Sequence, residues 1–384
     1  MTDITFQQVD HDLGVLHQRS VALEGFHRWV VGHGAVAGDI ARVIRVSLED
    51  SEGSSEGVTG KDLVTGLKKV SITIRNIIQW LLRQIGKLVE KIGLGLQKLG
   101  NLGRNNEKRL KALGSEESAK LDSGSVNIAA DDFNPAMLSI AGQFVGHELD
   151  HAKSFTTLTR WYAKDFMEQI NKVIEDLEGA IAQHMTDESP DEFVKKAAQI
   201  LSSTIHLPKI QMGGSAAPAE EAGANTIHTV PLFGDTGLVM FDPSKASEGL
   251  AGVEQARDYL VFKFVEYNSK QDSQSEKLPV PKASVLLQLN KEMLDALEFW
   301  ETNIKTSAAR LRSTLEGVES STNKIGTGES AAGAQAVMGN IMATIIQRMG
   351  AGVESGSKYL ARTFNQELHY IDAAISATSQ EKEE

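Results

Sequence analysis

A helical repeat of apolar residues runs from residue 61 to residue 99 and is the strongest pattern in the chain. Successive apolar positions are three or four residues apart, a spacing that places their side chains on one face of an α-helix. Lysine and arginine occupy most of the other faces. The pattern predicts one or two amphipathic helices with a buried stripe of Leu63, Leu67, Val70, Ile74, Ile77, Leu81, Ile85, Leu88, Ile92, Leu96 and Leu99.

The same helical period returns in three later regions. It extends from about Met137 to His184, and a shorter helix is predicted from Asp191 to Ser203. Beyond Pro281 a near-heptad pattern begins, which small residues interrupt at 320–334 before it resumes. The two C-terminal stripes contain Leu286, Leu289, Met293, Leu297, Trp300, Ile304, Leu311, Leu315 and Val318, and then Ile341, Ile345, Met349, Val353, Leu360, Phe364, Leu368, Ile371 and Ile375.

Between these helical regions the pattern changes to that of β-strands. Runs of β-branched and aromatic residues predict strands at 205–212, 229–233, 238–241 and 259–267. A hairpin turn at 234–237, with the sequence Gly-Asp-Thr-Gly, is predicted between the second and third strands. We therefore predict a mainly α protein, built from long amphipathic helices and a helical bundle, with a small antiparallel β insertion.

Polar stretches rich in glycine and serine predict how the chain is divided. Residues 49–57 contain no apolar side chain and should form an accessible linker. A second linker is predicted at 114–136, which contains Asn134-Pro135 near its end. The predicted units are an acidic helical segment at 1–56, a basic amphipathic region at 57–113, the linker at 114–136, a helical block at 137–204, the β insertion at 205–278, a C-terminal helical region at 279–378 and a tail at 379–384.

Charge is distributed unevenly along the chain. The total is −12, but residues 61–111 carry twelve Lys and Arg against three acids, a net charge of +9, which leaves −21 elsewhere. This cationic region could pack on protein helices, lie on an anionic membrane surface or neutralise nucleic-acid phosphates, and all three partners stay open. The candidate contact residues are Lys68, Lys69, Arg75, Trp80, Arg83, Lys87, Lys91 and Lys98.

Composition narrows the possible chemistry. The chain has no cysteine, which excludes disulfides, thiolate metal sites and cysteine nucleophiles. Its N-terminus lacks the basic and apolar segments of a signal peptide, and no apolar run is long enough to span a membrane. We therefore expect the chain to be soluble when it is made. Walker-type, nucleophile-elbow and dinucleotide signatures are also absent, so no cofactor is predicted.

One motif resembles a catalytic site. His147-Glu148-Leu149-Asp150-His151 matches the H-E-x-x-H pattern, in which two histidines one helical turn apart bind zinc and the glutamate activates water. No third ligand follows at a recognisable spacing, and Asp150 places a charge where such enzymes have a small or apolar residue. We expect a polar first turn of a helix and no metal site, with a zinc metallopeptidase as the alternative enzymatic interpretation.

The order of these segments resembles the internal head proteins, or inner-body proteins, of phiKZ-like giant bacteriophages. In that family an N-terminal propeptide is removed by the prohead protease after a small-x-Glu motif, and a largely helical body follows. Ser54-Ser55-Glu56 followed by Gly57 fits this motif and lies in the polar linker before the cationic region. The motif also occurs at Gly317-Val318-Glu319, so its position in the linker carries the argument.

The resemblance implies a non-enzymatic virion protein. Such a protein would be made in the host cytoplasm, assembled in many copies inside the capsid with other virion proteins, and packaged with the genome. Removal of residues 1–56 would take away nine acidic and four basic residues and shift the net charge by +5. Whether the protein leaves with the DNA at infection is open. A membrane-active protein that uses residues 61–100 is the remaining alternative.

Overall fold

The computed structural model describes residue 90 and residues 93–123, 127–128, 133–184, 191–204, 206, 226–229, 231–241, 263–266, 278–322 and 332–380. Most of these residues are helical, which confirms a mainly α fold. Within the described residues, no helix combines the length and the apolar content that crossing a membrane requires.

The described helices lie in two parts of the chain, residues 93–204 and residues 283–380. Helix α1 covers 93–112 and is followed by α2, Ser115–Asp122. Helix α3, Leu149–Trp161, continues through a π-helical turn at Tyr162–Phe166 into α4, Met167–His184. The remaining helices of the described chain are α5, Asp191–Thr204, α6, Ala283–Thr322, and α7, Ala332–Gln380.

The strands form three small antiparallel sheets. Strand β1, Asn127–Ile128, pairs with β7, Leu278–Pro279, and β2, Ser139–Ile140, forms a hairpin with β3, Gln143–Phe144. The largest sheet has the order β4-β5-β6, formed by Thr226–His228, Thr236–Phe241 and Lys263–Glu266. The predicted small antiparallel insertion is therefore present. The predicted strand at 205–212 lies outside the described residues except for His206, which is not in a strand.

A single apolar core joins the helices. Helix α6 packs against α3 and α4, while α7 contacts α2, α4, α6, the β1 strand and a 3₁₀ helix at Pro135–Leu138. All nine positions of the predicted α6 stripe are buried, and so are the nine of the α7 stripe. Trp300 is fully buried, with its ring 6.2 Å from the ring of Tyr162 and 6.1 Å from that of Phe364.

The π-helical turn brings Tyr162 against α7. Its hydroxyl donates to the backbone oxygen of Val353 and shares a hydrogen bond of 2.6 Å with Ser357 Oγ. Burial raises the pKa of this phenol above its ordinary value, so the hydroxyl stays protonated and remains a donor. The ring lies directly over Gly356, where a Cβ atom would be only 2.3 Å from Tyr162 Cε2. Glycine is therefore required at this helix contact.

Three local predictions differ from the structure. The strand expected at 229–233 does not form in the described residues, because β4 ends at His228 and the following segment turns, with Leu232 making only a single bridge to Thr236. The helical block was expected to begin near Met137, but helix α3 begins at Leu149 because the preceding segment forms the β2–β3 hairpin, whose turn has positive φ at Ala141 and Gly142. The stretch 114–136, expected to be a linker, contains α2 and β1. Its mostly polar composition indicated a linker, but three of its apolar side chains are buried: Leu121, Ile128 and Phe133. The division of the chain into domains remains a prediction.

Candidate functional site

The histidine-rich segment lies at the start of helix α3. Glu148 is the N-cap residue, with φ −98° and ψ 117°, and the helix begins at Leu149. His147 therefore precedes the helix, whereas His151 lies in its first turn. Asp150 also lies in this turn, where its negative charge is favourable for the helix dipole, and its side chain is 96% exposed. The structure confirms the predicted polar first turn.

Glu148 lies between the two imidazoles. Its carboxylate is 3.1 Å from His151 Nδ1 and 4.0 Å from His147 Nε2. The His147 ring stacks on Phe144, with ring centroids 5.8 Å apart and an interplanar angle of 16°. Burial lowers the pKa of His147, an effect that Glu148 opposes and His151 reinforces. Neutral His147 therefore acts as a packed aromatic side chain next to Phe144.

This arrangement lacks the geometry that zinc hydrolysis needs. In an H-E-x-x-H site both histidines belong to one helix and turn toward the same ion, but here only His151 is helical. No group of three or more His, Cys, Asp or Glu side chains placed to hold a metal ion occurs in the described part of the chain. The metallopeptidase alternative gains no support from these residues.

A neighbouring turn contact was not predicted from the sequence. The backbone N–H groups of Ala141 and Gly142 both donate to the carboxylate of Asp235, the second at 3.0 Å. In return the N–H of Gly234 donates to Ser139 O at 2.9 Å. Gly234 and Asp235 both have positive φ, so the predicted turn is present and is docked against the β2–β3 turn. A carboxylate held by two N–H groups fixes the β insertion to the helical body.

Replacing Asp235 with alanine should destabilise the protein by about 2 kcal/mol, because two backbone donors lose a charged acceptor. Asp235→Asn should cost less, since it keeps one acceptor oxygen. Urea unfolding followed by circular dichroism measures both changes. Asp150→Ala removes an exposed carboxylate and is the control, with an expected loss below about 1 kcal/mol. Equal losses for Asp235→Ala and Asp150→Ala would contradict the docking role.

The other predicted functional residues divide between described and undescribed parts of the chain. Lys98 lies on α1 with its side chain exposed. The remaining candidate contacts and the processing residues lie outside the described residues and stay predictions: Lys68, Lys69, Arg75, Trp80, Arg83, Lys87, Lys91, Ser54, Glu56 and Gly57.

Two buried asparagines fix the orientation of α1. Asn106 Nδ2 donates to the backbone oxygen of Leu368 on α7, and Asn290 Nδ2 on α6 donates to the backbone oxygen of Gly103, each at 2.9 Å. Both asparagine side chains are fully buried. Because these hydrogen bonds act at one turn of α1 from two different helices, they determine which face of α1 meets the core.

Charged and apolar side chains also hold α1 against the core. Arg109 forms an ion pair with Asp372 and donates to Ser376 Oγ at 3.0 Å. The inward face of α1 buries Leu96, Leu99 and Leu110, which have 3–8% of their surface exposed. The predicted apolar stripe is thus buried where it enters the described residues, and the cationic side chains of α1 other than Arg109 are exposed.

These features define a mainly α protein with one apolar core and a cationic helix on its surface. A family model described as phiKZ-like phage internal head proteins matches residues 18–373. The chain belongs to this family, which gives it a structural role in the virion and places it inside the phage capsid. The resemblance noted in the sequence is therefore confirmed. No curated protein and no solved structure matches the chain.

Proposed function

We propose that this chain is a propeptide-bearing structural protein of the capsid interior, packaged together with the genome and trimmed after Glu56. The family match supports the location and the structural role. The uneven charge carries the rest of the proposal, because a cationic region of net +9 lies directly after an acidic segment of net −5. An internal polyanion is the natural counter-charge for the cationic region once the acidic segment is gone.

Cleavage would change the electrostatics of the protein in one step. While residues 1–56 remain attached, they are held close to the cationic region at a high effective concentration and compete with any external anion. Removal of the segment ends this competition. The same cut requires no rearrangement of the helical body, since it falls in a stretch without a single apolar side chain.

Other small-x-Glu motifs provide an internal comparison. Gly317-Val318-Glu319 lies within α6 and Gly352-Val353-Glu354 within α7, and the central valine of each is buried. A protease binds its substrate in an extended conformation, so cutting either motif requires a core helix to unfold. Gly114-Ser115-Glu116 is different, because these three residues are exposed at the start of α2.

Protein extracted from native particles should begin at Gly57. Mass spectrometric peptide mapping is expected to find a semi-specific peptide with that N-terminus, and almost no peptides from residues 1–56. Peptides that cross the motifs in α6 and α7 should be intact and serve as the control. Abundant peptides from 1–56 would refute processing. A new N-terminus at Glu117 would support processing but refute the choice of Gly57.

A further inference from the structure

The outward face of α1 has a distinct composition. At 100° per residue, its exposed positions fall within an arc of about 140°. This arc contains four basic side chains, three amides and no acidic side chain, while the acid at its edge, Glu107, is half-buried and pairs with Lys111. The exposed residues are Leu94, Gln97, Lys98, Asn101, Arg104, Asn105, Lys108, Lys111 and Ala112.

Three cations on this face are available to an external anion. Lys98 and Lys108 form no ion pair with any described residue. Among the same residues, Arg104 donates only to the neutral Asn101, at 2.9 Å. They are spread over ten residues, or about 15 Å of helix. The same length of duplex DNA carries about nine phosphates, so each cation has several partners within reach.

We propose that the outward face of α1 binds the phosphate backbone of duplex DNA through Lys98, Arg104 and Lys108. The proposal rests on the proposed function, since packaging with the genome brings DNA to this surface. Amide side chains between the cations suit it, because asparagine and glutamine donate hydrogen bonds to phosphate oxygens. The helix is held rigidly by Asn106 and Asn290, so its cations meet DNA without ordering a flexible segment.

An anionic membrane fits this face less well. A helix that lies on a bilayer inserts an apolar face between lipid headgroups. The apolar face of α1 is buried against α6 and α7, and the single large apolar side chain on its outer arc is Leu94, 58% exposed. Docking of another protein usually needs a cluster of aromatic or aliphatic anchors, whereas this arc offers Leu94 alone. Phosphate contacts need only the cations and amides that are present.

The test measures binding of the full chain to a mixed-sequence 30-base-pair duplex by fluorescence anisotropy at several KCl concentrations. The variant carries Lys98→Gln, Arg104→Gln and Lys108→Gln. Because log K falls by about 0.9 per phosphate contact for each unit of log salt concentration, losing three contacts should make the slope less negative by about 2.7. The charge-conserving variant Lys98→Arg, Arg104→Lys and Lys108→Arg should keep the parental slope.

A matched control removes the same charge elsewhere. Lys172, Lys195 and Arg312 are exposed cations on α4, α5 and α6, each paired with an acid on its own helix at 2.7–2.9 Å. Replacing all three with glutamine should leave the slope unchanged. An equal loss in this control, or no binding by the parent chain at low salt, would overturn the proposal. Mass spectrometry of particles tests the virion role separately, so the two ideas can fail independently.

Flotation with vesicles in which one third of the lipid is phosphatidylserine is the second part of the test. The chain should not float with them at a salt concentration where it binds DNA. Flotation that is lost in the Lys98, Arg104 and Lys108 variant, together with unaltered DNA binding, would assign the face to lipid and overturn the DNA proposal.

Discussion

Replacing Gly356 with alanine is expected to lower the free energy of unfolding by about 3 kcal/mol, at the upper end of the cost of overpacking a core. The added methyl group would lie 2.3 Å from Tyr162 Cε2 and 3.0 Å from two further ring atoms. Contacts this short require either the tyrosine ring or α7 to move.

Moving either the Tyr162 ring or α7 would cost further stability. The Tyr162 ring stacks on Phe166 at 5.4 Å and meets Trp300 edge-on, while its hydroxyl is bonded to Val353 O and Ser357 on α7 itself. A shift of the ring would leave the buried backbone oxygen of Val353 without its donor, which costs about 1–3 kcal/mol. The packing and the hydrogen bonds therefore hold the ring over the glycine.

Gly179 on α4 is a matched control, because it is also helical but its added Cβ would meet no atom within 4 Å. Gly179→Ala should raise stability by up to about 1 kcal/mol through helix propensity. Urea unfolding followed by circular dichroism distinguishes the two changes by their opposite sign. If Gly356→Ala also stabilised the protein, the close approach of Tyr162 to α7 would be wrong.

Glu367→Gln is expected to stabilise the protein increasingly as the pH rises. Glu367 is fully buried on α7, and neither carboxyl oxygen has a hydrogen-bond partner within the described structure. Burial raises the pKa of Glu367 well above its ordinary value, and burial followed by the effect of Glu367 raises that of the nearby Tyr370. The folded state therefore prefers a protonated Glu367.

The sign of the pH dependence follows from this preference. Above the pKa that Glu367 has in the unfolded chain, the folded state binds more protons, so stability falls as the pH rises toward the folded-state pKa. The loss is up to about 1.4 kcal/mol per pH unit in that range. Glutamine does not ionise, so the stability of the Gln variant relative to the parent should rise with pH, by at most this amount per pH unit. Urea unfolding at several pH values between 5 and 8 measures the difference.

The exposed Glu298→Gln on α6 controls for the loss of one negative charge. It should show no comparable gain with pH, since its carboxylate is solvated in both states. A constant difference between Glu367→Gln and the parent over the whole range would mean that Glu367 is ionised in the folded protein and would contradict its burial without a partner.

The long helices could be predicted from the sequence because their signal is local. Every apolar position that the near-heptad pattern assigned to α6 is buried, and α6 ends at Thr322, inside the predicted interruption at 320–334. The hairpin turn at Gly234-Asp235 was found for the same reason, because glycine and aspartate tolerate positive φ.

Contacts between distant segments could not be predicted in this way. The carboxylate of Asp235 is bound by N–H groups 93 and 94 residues earlier, and nothing near it in the sequence identifies those donors. Glu367 lies beside the apolar stripe of α7 but would ordinarily be assigned to solvent, since charged residues are rarely buried. The sequence alone also does not show which basic residues of α1 are exposed. Only the orientation of α1 shows that Arg104 and Lys108 face solvent, whereas Arg109 faces α7.

The attachment of α1 to α7 also has a consequence for the time that the chain spends on the ribosome. Asn106 and its acceptor on Leu368 are 262 residues apart. At about 5–20 residues per second, synthesis of that interval takes about 13–50 s. Throughout this time α1 lacks the groups of α7 that it contacts in the finished protein, which are the backbone oxygen of Leu368 and the side chains of Asp372 and Ser376. Translation that stops before α7 therefore leaves Asn106 and Arg109 on α1 without these partners.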